Sequence, residues 1–248
     1  MSVIKAAKVY LGQHDLSGFM NQIDPRVTID KHDPTTFGDL VASDIRRAPE
    51  CGLETIQLAG KAFFRADSTS PATWKSHDAI LDAWKDLDVP VSWSIQSGAA
   101  GEVAEFFRAV VAERSDPAKI GDLLVIDFSA ESSGGVPLVR GIVLETGTKA
   151  AAGNSVARNL GVLAAGKTLY ACLHVFEVTG GGTLTMKVQS DELVGFATPT
   201  DRITFAGKAA AGYEWKELAG PIAVDAHWRA SWTLPVGTAR FALLVGIL

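Results

Sequence analysis

Short segments in which apolar and polar residues alternate recur along this chain, and they limit its fold more than any other feature. In residues 54–64, ETIQLAGKAFF, the side chains of Ile56, Leu58, Ala62 and Phe64 fall on one face. Residues 89–97, VPVSWSIQS, alternate in the same way. Because a period of two residues is the pattern of a half-buried β-strand, the sequence predicts a mainly β protein.

One segment breaks this pattern. In residues 70–88, SPATWKSHDAILDAWKDLD, apolar residues recur at helical spacing, and Ser70 and Pro71 supply an N-cap and a first-turn proline. The sequence therefore predicts one α-helix over about 71–87. Residues 102–113, EVAEFFRAVVAE, fit both a helical and a strand period, so the pattern alone leaves their structure open.

Composition divides the chain into a first β domain at 1–145 and a second at 167–248. Residues 146–166 are rich in Gly, Ala, Thr and Asn, which is typical of a linker or of an edge segment. The remaining residues consist of short strand-like segments separated by turn signals such as TGGG and LPVGT. This pattern predicts a second β-sandwich of the jelly-roll or immunoglobulin-like kind.

Charge and hydropathy argue against several classes of function. The net charge of −5 gives no basis for broad binding of nucleic acid. No apolar run approaches the roughly 20 residues of a membrane-spanning helix, so membrane insertion is not expected. We see no secretory signal and expect synthesis in a cytoplasm. Cys51 and Cys172 lie far apart with no CxxC pair, so neither a zinc ribbon nor a disulfide framework is expected.

Two segments resemble functional sites, one a metal-binding site and the other a phosphate-binding loop. The first has six potential metal ligands without HxH or HExxH spacing, and we interpret them as solvated polar residues: His14, Asp15, Asp24, Asp30, His32 and Asp33. The second, GVLAAGKT at 161–168, matches the phosphate-binding pattern GxxxxGK[ST]. A strand-like segment follows it where a phosphate loop requires a helix. With no GxSxG elbow either, we predict no enzyme, no catalytic residue, no cofactor and no metal.

Aromatic residues of the second half allow two interpretations, a sugar-stacking platform or core packing. Trp228 and Trp232 are four residues apart in HWRASW and share one strand face, which we interpret as the sandwich interior. Tyr213 and Trp215 stay as possible glycan-stacking residues.

Two long stretches resemble the major tail tube proteins and related tail proteins of long-tailed bacteriophages. The first begins with HDLSGFMNQIDPRVTIDKHDPTTFGD and continues through GLETIQLAGKAFF, the tryptophan-bearing helix and residues 104–145. The second, residues 166–205 and 228–248, is similar to the β-sandwich appended to some of these proteins. The resemblance implies a β-sandwich or barrel flanked by one helix, and it favours a strand for residues 104–113.

The resemblance also implies a function. Copies would pair strands side by side into hexameric rings, and stacked rings would conduct DNA without binding it specifically. A loop over 34–50 would reach the neighbouring subunit, with four apolar residues as contact candidates: Phe37, Leu40, Val41 and Ile45. The protein would be made in the bacterial host cytoplasm and reside in the virion tail, with itself and other tail proteins as partners and host surface glycans as a further ligand.

The alternative is a carbohydrate-binding or virion-decoration β-sandwich protein that forms no tube. Both readings describe a protein that is not an enzyme, and they differ in whether the copies polymerise.

Overall fold

The computed structural model describes residues 7–32, 50–63, 80–115 and 125–248, apart from residues 81, 85, 134 and 136. These residues are almost entirely β, which confirms the predicted fold class. In chain order, the strands of the first half are β1 (Lys8–Leu11), β2 (His14–Asp15), β3 (Met20–His32), β4 (Glu50–Phe63), β5 (Val89–Ser94), β6 (Val103–Ser115), β7 (Val125–Ser132) and β8 (Val139–Lys149).

The strands of the second half are shorter on average. They are β9 (Gly153–Asn154), β10 (Arg158–Asn159), β11 (Thr168–Thr179), β12 (Thr185–Asp191), β13 (Thr200–Thr204), β14 (Gly212–Ala219), β15 (His227–Thr233) and β16 (Thr238–Ile247). Strand β6 covers the segment whose periodicity was ambiguous, so the strand that the family resemblance favoured is confirmed there. Its buried phenylalanines, Phe106 and Phe107, pack on opposite sides of the strand into different apolar clusters.

The described strands form two sheets. The larger has 11 strands, with the order β14-β11-β16-β8-β6-β5-β1-β2 and a branch in which β6 pairs with β7, β7 with β4, and β4 with β3. The smaller has 5 strands, with the order β10-β15-β12-β13 and β9 beside β15. All the pairs are antiparallel, which suits strands that bury one face and expose the other.

Strand β6 pairs with β5 along one edge and divides its other edge between β8 and β7. Its first residues, Val103–Phe106, pair with β8, and its later residues, from Ala109 on, pair with β7. A register shift between Val111 and Glu113 lies within the later part. One strand thereby belongs to both halves of the large sheet.

Two apolar cores lie on these sheets. The first is formed by β1, β4, β5, β6 and β7, and includes Leu58, Trp93 and Phe128. The second lies between the small sheet and the β11, β16 and β8 part of the large one, and includes Trp228 and Phe241. Trp228 and Trp232 are both buried there, which confirms the predicted sandwich interior.

The predicted helix over 71–87 lies mostly outside the described residues. Of its residues, Ile80, Asp82 and Ala83 are helical, and the Trp84 amide donates a hydrogen bond to the Ile80 carbonyl at 2.9 Å across one turn. Ile80 and Ala83 pack into the first core. No helix of the described residues is long and apolar enough to cross a membrane.

The predicted segment 146–166 starts inside a strand. Its first residues, Thr146 to Lys149, belong to β8 and pair with β16, and the short strands β9 and β10 both pair with β15. Gly147 and Gly153 of this segment therefore lie in paired strands. The division into domains at 1–145 and 167–248 stays a prediction, and one continuous sheet runs across it.

The approach of β8 to β16 leaves no room for a side chain at Gly141. A methyl group built there would overlap the carbonyl oxygen of Val245. We expect Gly141→Ala to lower the free energy of unfolding by about 2 kcal/mol, since the two strands would have to separate. Chemical denaturation measures this change. Gly18→Ala is the matched control, because nothing lies within 4 Å of its added methyl group, and an equal effect of both changes would contradict the prediction.

Candidate assembly surface

The long hairpin of β3 and β4 extends beyond the rest of the sheet. Strand β7 pairs with β4 from Gln57 to Phe63, whereas β3 pairs with β4 from Met20 to His32. Residues 27–32 of β3 and 50–56 of β4, called the arm below, therefore pair only with each other among the described residues. A two-stranded ribbon is marginally stable by itself, so the arm gains little from its own packing.

Apolar side chains of the arm face water. Val27 is 49% exposed and Ile29 is 45% exposed, and the residues from Pro25 to Ile29 are all exposed. Val27 and Ile29 lie two residues apart in one strand and so share a face. Exposed β-branched residues on a strand with a free edge are typical of a surface that another chain covers.

The outer edge of β3 has no strand partner among the described residues. Pro25 lies in this strand opposite Leu58, and proline is tolerated in sheets chiefly at edges because it has no N–H to donate. Beside it, Arg26 donates to Asp24 through Nε at 3.0 Å and through Nη2 at 2.6 Å. Beyond Pro25 the unpaired N–H and C=O groups of β3 are available to an added strand.

The predicted contact residues Phe37, Leu40, Val41 and Ile45 lie outside the described residues. In the sequence they fall between β3 and β4, so they connect the two strands of the arm. Their part in an interface stays a prediction. Sequence reasoning did not single out Val27 and Ile29.

The possible glycan-stacking residues both lie on β14 and both make contacts within the chain. The Tyr213 hydroxyl donates to Asp86 Oδ2 at 2.8 Å, and burial, followed by the nearby acidic groups, raises the Tyr213 pKa. The Trp215 ring packs edge-on against Phe106, with 5.5 Å between ring centroids, and its Nε1 donates to Glu217 at 2.9 Å. A role in binding glycans stays untested for both residues.

A small polar pocket of about 190 Å³ lies beside Tyr213. In it His14 Nε2 lies 3.2 Å from Asp82 Oδ2, and Gln13 donates to the same oxygen at 2.8 Å. Burial lowers the pKa of His14, while the hydrogen bond and charge of Asp82 act against this shift. No group of three or more His, Cys, Asp or Glu side chains in the described ranges could hold a metal ion.

A buried network resembles part of a catalytic apparatus. Ser92 Oγ lies 2.7 Å from His174 Nε2, and Cys172 Sγ lies 3.1 Å from the same nitrogen. His174 Nδ1 lies 2.6 Å from the carbonyl oxygen of Gly12, so Nδ1 must be the donor. In the neutral ring, Nε2 then accepts a hydrogen bond from Ser92 or Cys172.

This network holds strands together and has no route for a substrate. Ser92, Cys172 and His174 are each 0% exposed. Burial lowers the pKa of His174 to about 4 and raises the pKa of the Cys172 thiol. The ring therefore stays neutral near pH 7, and it ties the turn after β1 to β11 through the Gly12 carbonyl. No sequence pattern indicated this contact, because Ser92 and His174 are distant along the chain.

The segment at 161–168 that matches the phosphate-loop pattern is followed by a strand and not by a helix, as the sequence indicated. Leu163 forms an isolated bridge with Ile222, the Lys167 amide donates to the Ala164 carbonyl at 3.1 Å, and β11 begins at Thr168. The segment is a turn that enters a strand. No helix N-terminus is present there to receive a phosphate group.

No protein-family model and no curated protein matches the chain. Among the solved structures that resemble the chain are two phage proteins, and both likenesses are weak. One is the crystal structure of the SPP1 Dit protein (gp 19.1), described as a paradigm of the hub adsorption apparatus in phages that infect Gram-positive bacteria. The alignment has a TM-score of 0.35 and 11% sequence identity, and it covers 98% of this chain and 100% of the Dit chain. The other is a chain of the phage p2 baseplate in its activated conformation with Sr, with a TM-score of 0.32, 8% identity and coverage of 96% and 97%. TM-scores of this size do not establish a common fold.

The buried histidine predicts a dependence of stability on pH. Because the pKa of His174 is about 4 in the folded chain and about 6.5 in an unfolded one, the unfolded state binds more protons between these values. The stabilisation is complete above about pH 6.5 and is lost as the pH falls toward 4, by about 3 kcal/mol in total. His14, whose pKa is also lowered, adds to the same trend.

Urea unfolding at several pH values from 7.5 to 4 measures this dependence. His174→Gln should remove the larger part of the slope and also weaken the fold. His227→Gln is the matched control, since His227 lies at the partly exposed start of β15. A slope in His174→Gln that equals the wild-type slope would show that His174 does not cause it.

Proposed function

We propose that this chain is a non-enzymatic structural subunit of a bacteriophage tail, which assembles with copies of itself into closed rings. Each arm packs against a neighbouring copy, the rings are hexameric, and they stack into a tube that conducts DNA. The second β-sandwich lies on the outside of this tube. Other tail proteins contact its ends, and the assembly resides in the virion after synthesis in the host cytoplasm.

The single observation that carries this proposal is the arm. Its strands have backbone groups without partners among the described residues, and its Val27 and Ile29 side chains are about half exposed. A strand from another copy would satisfy the backbone groups and cover the apolar face at the same time. The family resemblance of the sequence around β3 and β4 favours the same role.

The geometry of such contacts favours rings. An arm that reaches a different surface of the next copy makes a heterologous contact, and heterologous contacts close into rings when the rotation between copies allows it. Stacking then uses the two ring faces. A net charge of −5 agrees with a conduit that does not retain DNA, because a strongly basic lumen would bind the phosphate backbone.

The alternative function is a carbohydrate-binding or decoration module that stays monomeric. Electron microscopy of the purified protein separates the two. Rings or tubes of uniform bore support the tail proposal, whereas persistent monomers at high concentration contradict it.

Charge placed on the arm should prevent assembly. We expect Val27→Lys with Ile29→Lys to give a folded monomer, because burying two ammonium groups in an interface is costly while both side chains are exposed in the single chain. Light scattering after size-exclusion chromatography measures the mass, and the free energy of unfolding should change by less than about 1 kcal/mol. Val156→Lys with Val224→Lys is the matched control, since both valines are exposed in the second half of the chain. If the arm variant still forms rings, the arm is not part of the interface.

The segment between β3 and β4 gives a second test. Changing both Phe37 and Ile45 to Asp should leave a folded monomer that no longer forms rings, because apolar contacts with the next copy would be replaced by buried carboxylates. Negative-stain microscopy and circular dichroism measure assembly and folding. Unimpaired rings would exclude these two residues from the interface without bearing on the arm strands themselves.

A further inference from the structure

The part of the large sheet made by β3, β4, β7 and β6 has a polar face. Along β4 the even-numbered Ile56 and Leu58 point into the first core, and the odd-numbered Gln57 and Lys61 point to the other side. On that side lies a cavity of about 740 Å³, which we call the sheet groove. Its volume is within the range of small-molecule binding sites in proteins.

Strand register gives the sheet groove a floor of short side chains and walls of long ones. Ala59 lies opposite Asp24 of β3 and opposite Ser129 of β7. Two residues further along β4, Lys61 lies opposite Asp127. Because Ala59 and Ser129 are short, the middle of the sheet face is accessible between the longer side chains that surround it.

The polar walls are held in place by hydrogen bonds within the chain. Gln57 Nε2 donates to Ser129 Oγ at 2.8 Å, and Lys61 Nζ lies 3.4 Å from Asp127 Oδ2. The other carboxylate oxygen, Asp127 Oδ1, is buried and has no hydrogen-bond partner among the described residues. A buried acceptor without a donor is costly, so a ligand that brings an O–H or N–H group to it would be stabilised.

The charges that line the sheet groove balance. Among the described residues, three cationic and three acidic side chains line it: Arg26, Lys61, Arg114, Asp24, Glu113 and Asp127. A phosphate or carboxylate ligand would approach three carboxylates, and an ammonium ligand would approach three cations. A neutral ligand rich in groups that both donate and accept hydrogen bonds fits this lining best.

An aromatic side chain adds an apolar surface to the same cavity. Trp84, at the end of the helical turn, is 44% exposed and lines the sheet groove. Large aromatic rings at a polar cavity offer a flat face for the C–H side of a ligand while the polar groups bind its hydroxyls.

We propose that the sheet groove binds a neutral saccharide. A pyranose ring lies against Trp84, one of its hydroxyls donates to Asp127 Oδ1, and other hydroxyls accept from the Lys61 and Arg26 side chains. This site differs in position from Tyr213 and Trp215 on β14. It depends on a single chain and does not require that copies assemble into rings.

Binding is measured with the full chain on a panel of immobilised neutral pyranose oligosaccharides, followed by calorimetric titration of the best binder. Trp84→Ala and Asp127→Ala should each weaken binding at least about tenfold. Leu193→Ala is the matched control for the loss of an exposed apolar side chain, because Leu193 is exposed in the second half of the chain. Trp215→Phe tests the other candidate position for a sugar, on β14. Asp201→Ala is the matched control for the acidic change, because Asp201 also pairs with a lysine, Lys187 at 2.6 Å, on the small sheet. Both controls should stay within about twofold of the wild-type affinity.

Several results would overturn the proposal: a wild-type chain that binds no oligosaccharide, unchanged affinity in Trp84→Ala and Asp127→Ala, or a loss confined to Trp215→Phe. Displacement of the saccharide by 100 mM sodium phosphate at constant ionic strength would assign the cavity to anions and would also overturn it. Light scattering on the same samples reports assembly separately, so a failure of ring formation is distinguishable from a failure of this site.

Discussion

The hydrogen bonding of β8 on both of its edges joins the two halves of this molecule. One edge pairs with β6 and the other with β16, so a single sheet carries both apolar cores. A third apolar cluster lies along the joint and includes Tyr10 of β1, Phe106 of β6 and Phe176 of β11. Because backbone bonds and buried rings cross this joint together, the second sandwich is attached through packed structure. If copies assemble as proposed, that attachment fixes where the second sandwich lies on a ring.

The arm differs from the remainder of the sheet in what its strands contact. Inner strands such as β5 and β16 are paired on both edges and bury most of their side chains. The arm has one internal pairing and exposes Val27 and Ile29. Strands that are fully paired contribute to the stability of the single chain, whereas strands with a free edge contribute to contacts between chains. The proposed assembly and the proposed saccharide site therefore use different faces of the same part of the sheet.

The burial of side chains within a single strand was predictable from the sequence, because it depends only on the alternation of apolar and polar residues. Ile56, Leu58 and Ala62 are buried as their spacing in β4 indicated, and Trp228 and Trp232 lie inside the sandwich. Residues 146–149 were less predictable, since Gly and Thr composition resembles a linker even where the backbone is paired. The Ser92 to His174 contact and the sheet groove were not predictable, because their residues come together only when distant strands pair.

Strand β16 lies between β8 and β11, and this position has a consequence for how the protein is made. On a ribosome, residues before Thr238 emerge first, yet the sandwich core needs the β16 side chains Phe241, Leu243 and Val245. A nascent chain therefore cannot close its second core until this late strand has left the exit tunnel.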